Sequence, residues 1–282
     1  MKRVFIIIFF CFLALILVFY YQSQYLSDKK LHIFVCDVGQ GDGILIRTPE
    51  NADIVIDGGP ENGKMVACLS KNLPFWDHDI EEMFATHPDA DHIGGLTQVL
   101  ENYKVLSFNT STLDNKNNTA IFATLIRDIK EQGIPSRLIT TGDRFVVSDG
   151  VVLTTLWPEK GFTSTDTNPY SLVQLLTYKN FKGLFTGDIT YQILDTLPVP
   201  HNLDLFKIPH HGSDTGVDDL TFNIIHPGFV PISVGYHNRY HHPKPSVLAL
   251  LKKYNVPYKR TDEVGTIEII SDGATTKVTT DN

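Results

Sequence analysis

From Val4 to Tyr21 the chain is apolar without interruption; from Leu31 onward apolar residues fall into short runs between glycine, proline and polar clusters. The first run is 18 residues long, the lower end of what crosses a bilayer, and Lys2 and Arg3 precede it. Basic residues ahead of such a span favour a cytoplasmic N-terminus and a translocated body. The run leaves through Phe19-Tyr20-Tyr21-Gln22, an aromatic belt suited to a membrane interface, and no small-x-small cleavage site follows it. The expectation is an uncleaved, single-pass signal anchor over residues 1–27 with its tether, and an extracytoplasmic body over 28–282. A cleaved signal, and so a secreted body, is the rival reading. Cys11 lacks the small residues that precede a lipidated cysteine, which argues against a lipoprotein.

In the body, Leu31 to Asp37, Ile44 to Arg47 and Asp53 to Asp57 read as a meander of strands with glycines at its corners. Lys64 to Asn72 reads as a helix closed by Pro74, and Glu82 to Ala85 as a strand. A helical pattern opens at Gly94-Gly95-Leu96 and runs to about Tyr103, followed by a strand over Val105 to Phe108. After the polar loop Asn115 to Thr119, a helix over Ala120 to Gln132 places Ile121, Phe122, Leu125, Ile126 and Ile129 on one face. Strands follow at Arg144 to Val147 and Val151 to Trp157, then a polar loop, Pro158 to Pro169, that could overhang a site. Ser171 to Thr177 and Phe181 to Phe185 form a hairpin, Ile189 to Leu197 a helix and Leu203 to Ile208 a strand. Helices near Asp218 to Ile225 and Ser246 to Lys253 flank a strand at Phe229 to Val234, and strands at Tyr258-Lys259, Thr266 to Ile270 and Thr276 to Thr279 finish the chain. Two batches of strands, each with helices, predict an α+β fold of four layers, an αββα sandwich preceded by one transmembrane helix.

The formal charge of −8 argues against a basic nucleic-acid-binding face, although bound dications would make a site locally positive. In the body, Cys36 and Cys68 lack any C-x-x-C spacing, so neither a disulfide scaffold nor a thiol metal cage is expected, and Cys36 reads as a small buried hydrophobe. The densest chemistry is His87-Pro88-Asp89-Ala90-Asp91-His92, two imidazoles and two carboxylates in six positions between a strand and the helix signal. Imidazole nitrogen and carboxylate oxygen suit Zn²⁺, and oxygen-rich sites also suit Mn²⁺. Carboxylates so close repel unless a cation lies between them. A solvated acidic turn would account for the aspartates but not for the flanking histidines or the paired glycines. His32, His78, His201, His226, His237 and His241 have no motif around them, and surface or core roles suit each. The aromatics Phe75, Trp76, Tyr236 and Tyr240 are able to stack a base or a choline group, although packing is their commoner use.

Phe185-Thr186-Gly187-Asp188 and His210-His211-Gly212-Ser213 each follow a strand, as the His/Asp cluster does. Together these motifs resemble the metallo-β-lactamase superfamily. More narrowly, Asp37-Val38-Gly39-Gln40-Gly41-Asp42, Asp57-Gly58-Gly59, the segment from His87 to Gly95, Asn168 with Ser171-Leu172-Val173, Asn238-Arg239-Tyr240 with His242-Pro243, and Thr261-Asp262 with Gly265 resemble the metallo-β-lactamase-like domain of ComEC-type DNA-uptake proteins. The resemblance covers about residues 31 to 280 and lacks the multi-helix channel of those transporters. It implies two divalent metal ions, Zn or Mn. His87 and Asp89 would hold the first, with Asn168 nearby; Asp91, His92 and His211 would hold the second; Asp188 would bridge both. Asp89 stands where the wider family has a second histidine, and Asn168 where it has a later one, so the first site is the harder of the two. Asp57 would orient a ligand histidine, with Asp37 and Asp42 as further candidates for that role. Besides Asp91, the expected catalytic residues are His210 and His242, either of which could protonate a leaving oxygen.

The leading functional expectation is a metal-dependent phosphodiesterase or nuclease acting on DNA through metal-activated hydroxide. The alternatives are a cell-envelope phosphodiesterase, for example on teichoic-acid phosphorylcholine, and a non-catalytic module that grips DNA or a partner. Lactam hydrolysis is weaker, because oxygen ligands replace two histidines. No obligate protein partner is inferable.

Overall fold

The computed structural model describes residues 2–25, 28–112, 119–147 and 150–282. The strands at Leu31–Val35, Gly43–Arg47 and Asp53–Gly58 form the expected antiparallel meander. The register pairs Ile33 with Ile46 and Phe34 with Leu45, then Ile46 with Ile54 and Leu45 with Val55. Successive residues thus point to opposite faces, and both faces are buried, which is why these strands read as continuous apolar runs. Glu82–Ala85, Phe108–Thr110 and Ser136–Leu138 add in parallel on one side, and Ile267–Ser271 and Thr276–Thr280 close the other, giving eight strands.

Five strands make the second sheet: Arg144–Val146, Val152–Trp157, Val173–Tyr178, Phe181–Phe185 and Leu205–Phe206. Ile33, Ile44, Ile46, Ile54 and Ile56 of the first sheet meet Phe145, Leu153, Leu176 and Phe181 of the second. On the outer side of the first sheet, Phe34, Leu45 and Val55 pack under the helices Lys64–Asn72, Ala90–Asn102 and Ala120–Glu131. The second sheet is covered by the helices Asp219–Ile225 and Pro245–Lys253, through Phe222, Ile225, Val247 and Leu251. Three hydrophobic layers between four structural ones make the αββα sandwich. The apolar N-terminal segment is one helix, Lys2–Tyr25, long and apolar enough over Lys2–Tyr21 to cross a membrane.

Several elements depart from the sequence pattern. The helix expected from Gly94 begins at Ala90, so Asp91 and His92 lie in its first turn rather than in a loop. The single strand expected over Val105 to Phe108 is two: Lys104–Val105 pairs with Asp79–Ile80 in a separate ribbon, while Phe108–Thr110 enters the large sheet. Ser136–Leu138 is exposed along its length and has no apolar alternation to announce it. The helix expected over Ile189 to Leu197 covers only Tyr191–Leu194. Most of the Asn115 to Thr119 loop lies outside the described residues. Cys36 is not a free buried residue: it forms a disulfide with Cys68, their Cα atoms 6.0 Å apart. The pairing depends on the helix Lys64–Asn72 lying on the end of the first strand, a tertiary contact that Cys spacing does not encode.

In the outer layer, the Thr221 hydroxyl donates to Asp195 at 2.7 Å, and Asp218 caps the helix beginning at Asp219 by accepting from the Thr221 N–H at 3.0 Å. Burial, with the nearby Asp218 charge, pushes the Asp195 carboxyl up to about 6. Between the ordinary carboxyl range and that value, the folded chain keeps a proton that the unfolded chain releases, so stability falls as pH rises through the window. Asp195→Asn should flatten this slope, read as a loss of the difference between urea midpoints at about pH 4.5 and about pH 7.

Candidate metal centre

The chemistry-bearing residues gather at one edge of the sandwich because parallel strands end there. Asp53–Gly58 runs parallel to Glu82–Ala85, so Asp57 and the Thr86-His87 segment emerge side by side. In the second sheet Phe181–Phe185 runs parallel to Leu205–Phe206, which delivers Asp188 and the His210-His211 pair. His210 and His211 both hold positive φ, 50° and 55°, in the tight turn Pro209–Gly212. A sparsely populated backbone held in this way is the kind found where side chains must be aimed.

Two close backbone approaches bring the halves of the site together. A Cβ on Gly95 would come within 2.0 Å of the Gly58 carbonyl, and one on Gly41 within 1.9 Å of the Asp91 carbonyl. The paired glycines therefore let the first turn of the helix lie on the end of the Asp53–Gly58 strand, where the Gly95 N–H donates to the Gly59 carbonyl at 2.8 Å. That turn carries Asp91 and His92.

Asp188 is the hub. Its Oδ1 lies 3.2 Å from His92 Nε2, and its Oδ2 lies 3.6 Å from His211 Nε2 and 3.7 Å from His210 Nε2. Ligand atoms of His87, His92 and Asp188 fall within 4.8 Å of one another, as do those of Asp91, His92 and His211. Asp89 Oδ2 is 3.7 Å from His87 Nε2. Asp89 occupies the N-cap position of the helix but makes no side-chain cap, so its carboxylate is turned to His87 instead. Asp91 Oδ2 is 3.7 Å from His211 Nε2.

The outward nitrogens of His87, His92 and His211 are tied to oxygen atoms. His92 Nδ1 meets Asp57 Oδ2 at 2.8 Å, and Asp57 also accepts from the Thr86 N–H and hydroxyl at 2.8 and 2.6 Å. His211 Nδ1 meets the Ser233 carbonyl at 3.0 Å and Asp42 Oδ1 at 3.3 Å. His87 Nδ1 meets the hydroxyls of Thr86 and Ser171 at 3.0 and 3.3 Å. Each arrangement leaves Nε2 facing inward. His87 Nε2, His92 Nε2, His211 Nε2 and Asp188 Oδ1 are all buried without a hydrogen-bond partner. Buried polar atoms are costly to leave unsatisfied, and four of them in adjoining ligand clusters fit bound cations as their missing partners.

The electrostatics make the same demand. Burial would raise Asp188, but the imidazoles of His211 and His92 hold it well below the usual carboxylate range. Burial opposes the charge on Asp91 too, and the neighbouring imidazoles of His211 and His92 bring it down to about 2. In return, against their own burial, Asp188 and Asp57 raise His92 well above its ordinary value, and Asp188 and Asp42 raise His211 to about 9. The clustered carboxylates require positive charge, which a divalent cation supplies more compactly than protons do.

The structure brings His87, Asp89, Asp91, His92, Asp188, His210 and His211 into this cluster, with Asp57 directly behind it. His242 stands at its rim, with its ring centroid 5.6 Å from that of His210. Asn168 lies in the turn Asn168–Tyr170 and supports the centre through its backbone: its carbonyl accepts from the Ser171 N–H at 2.9 Å, and Ser171 reaches His87. From the loop Pro158 to Pro169, Thr167 lies close enough to Asp89 to help His87 lower its carboxyl below the ordinary value. Asp37 and Asp42 separate: Asp37 pairs with the exposed Lys64 at 3.1 Å, whereas Asp42 is buried against His211. The residue that sequence reasoning missed is Lys207, fully buried, with Nζ 2.7 Å from Asp42 Oδ2 and 2.9 Å from the Ile208 carbonyl. Its one signal was a lone lysine inside the apolar run Leu205-Phe206-Lys207-Ile208.

Comparison with known proteins agrees with this geometry. The model of the Metallo-beta-lactamase superfamily matches residues 36–228. ComE operon protein 3 of Bacillus subtilis (strain 168) is 26% identical over 284 residues, covering 92% of this chain and 35% of that protein. Competence protein ComA of Neisseria gonorrhoeae is 23% identical over 257 residues, covering 88% and 33%. The chain thus spans about a third of the length of these curated relatives, which are ComEC-type competence proteins. Among solved structures, Igni18, a novel metallo hydrolase from Ignicoccus hospitalis KIN4/I, superposes with a TM-score of 0.53 at 12% identity, over 85% of this chain and 98% of that one, a likeness of fold.

Gly95→Ala should cost about 1–3 kcal/mol in urea unfolding, since the helix must lift from Gly58 to admit the methyl group. Lys207→Met should cost about 3–5 kcal/mol by the same measurement, because it leaves Asp42 charged, buried and without its cation.

Proposed function

Because the chain belongs to the metallo-beta-lactamase superfamily, we propose that it is a membrane-anchored, extracytoplasmic phosphodiesterase with nucleic acid as its first candidate substrate. One observation carries the reading: four buried ligand-type atoms, on His87, His92, His211 and Asp188, converge without hydrogen-bond partners. A superfamily hosts many reactions, so the substrate is argued from the site and from the competence relatives rather than from the fold. His87 and Asp89 would hold a first divalent ion, Asp91, His92 and His211 a second, and Asp188 would bridge them. When bound, two such cations supply a nucleophilic water near neutral pH and offset the charge that builds on a phosphoryl group. The extra carboxylate at the first position makes Mn²⁺ as suitable there as Zn²⁺.

The chain's own groups do the rest. Asp57 and the Ser233 carbonyl fix the tautomers of His92 and His211, so that a lone pair faces inward. Burial lowers His210 from its ordinary value and lowers His242 to about 4, so both rings are neutral in the free protein. The negative charge of an incoming phosphodiester favours their protonated forms, and either can then give its proton to the leaving oxygen.

Residues 1–27 act in this reading as anchor and tether, and 28–282 as the hydrolase body. The apolar helix supports the anchor, and Lys2 and Arg3 ahead of it support a translocated body. The Cys36–Cys68 disulfide supports the same side, since such bonds persist in oxidising compartments.

The test uses the full chain in detergent, loaded with Zn²⁺ or Mn²⁺, against labelled DNA and against purified cell walls. DNA cleavage that EDTA abolishes is expected, and Asp57→Asn should weaken metal affinity or activity about 10- to 100-fold. Release from walls with intact DNA would move the substrate to an envelope phosphodiester; a loaded chain that binds DNA and cuts nothing would leave a binding module.

A further inference from the structure

The loop from Gly235 to Pro243 carries more than the positioning of His242 requires. Asn238 braces it: Nδ2 donates to the carbonyls of His242 and Gly235 at 2.7 and 3.0 Å, and Oδ1 accepts from the His242 N–H at 2.9 Å. At its root, Gly235 donates to Gln40 Oε1 at 3.2 Å. A loop so tied could tuck its aromatics away, yet Tyr236 is 76% exposed and Tyr240 42% exposed. Packing, the common use of such rings, does not account for them.

Tyr240 is joined to the metal centre by a ladder of rings. Its ring stacks on that of His242 with centroids 5.7 Å apart and planes 24° apart, and His242 meets His210 edge-on. Two cations frame it. The Arg239 Cζ lies 4.8 Å from the Tyr240 centroid, with Nη2 2.5 Å from the Tyr240 hydroxyl, and Lys244 Nζ donates to the Tyr240 carbonyl at 2.9 Å. A planar guanidinium lying over an exposed ring occupies the kind of surface that a planar base takes, and the same group is a strong donor to phosphate. In a chain of net charge −8, this is a local basic and aromatic wall beside an acidic centre.

We propose that Arg239 and Tyr240 form the subsite for the nucleotide next to the reacting phosphodiester, with Tyr240 stacking the base and Arg239, swung off the ring, pairing with the adjoining phosphate. The inference rests on the phosphodiesterase reading for its direction and narrows the substrate to single-stranded nucleic acid, whose bases offer free faces. An envelope polymer without planar bases has no use for the ring.

The experiment is fluorescence anisotropy of a short fluorescein-labelled phosphorothioate oligothymidylate, which resists cleavage, with the metal-loaded full chain in detergent; polyphosphate serves as a competitor with charge but no bases. Tyr240→Ala should weaken oligothymidylate binding about tenfold and Tyr240→Phe less than about twofold, since the ring and not the hydroxyl makes the contact. Tyr240→Ala should leave polyphosphate competition unchanged, whereas Arg239→Ala should weaken both polymers. The inference is overturned if the wild-type chain fails to bind oligothymidylate, if Tyr240→Ala binds it as wild type does, or if that variant loses both polymers equally. An oligonucleotide bound with the expected pattern but never cut, in its ordinary phosphodiester form, removes the hydrolytic reading and keeps the subsite. Cutting without dependence on Tyr240 does the reverse.

Discussion

A single buried carboxylate, Asp188, organises the centre. It sits within 3.7 Å of three imidazoles, and two of them are held in turn, His92 by Asp57 and His211 by Asp42 and the Ser233 carbonyl. Charges taken out of water survive only when opposite charge and hydrogen bonds surround them. The arrangement meets that condition in shells: inward nitrogens and oxygens that need a cation, then oxygens behind them, then Lys207 neutralising Asp42 from inside the second sheet. Without positive charge at its middle the cluster would repel itself, so its folding and its capacity for metal are parts of one electrostatic problem.

The sandwich solves the spatial half of that problem. Parallel strands in each sheet end at the same edge, so Asp57 and His87 come from one sheet, and Asp188 and His211 from the other. The apolar layer between the sheets holds them at a fixed separation. Contacts that only glycine permits, Gly95 on Gly58 and Gly41 on Asp91, then bring the helix and the first meander close enough for Asp91 and His92 to join. Packing that tolerates no extra methyl group transmits position well, which a centre with ligands from three separate segments requires.

The two halves of the centre differ in character. Behind His92 and His211 stand the carboxylates of Asp57 and Asp42, whereas His87 is backed by the hydroxyls of Thr86 and Ser171. The rim is aromatic and basic, from His210 through His242 and Tyr240 to Arg239. An acidic centre beside a cationic, ring-bearing wall suits a ligand that carries both negative charge and flat surface.

The sequence alone determined the membrane-length helix, the strand runs of the meander, the helix Lys64–Asn72 and the grouping of His87, Asp89, Asp91 and His92, because apolar periodicity and ligand density are local properties. It also carried the αββα sandwich, since strand order with flanking helices limits the layers. Tertiary structure decided what depends on separated segments meeting. The Cys36–Cys68 bond needs a helix laid across a strand end; the pairing of Lys207 with Asp42 needs the two sheets in contact; and the difference between Asp37, paired at the surface, and Asp42, buried behind His211, is one of orientation within a single turn. Asn168, expected beside the metal, works through its carbonyl and Ser171, a choice made by backbone direction. Side-chain chemistry is written residue by residue, but burial and mutual distance belong to the packed chain, and these turn a list of histidines and aspartates into one centre.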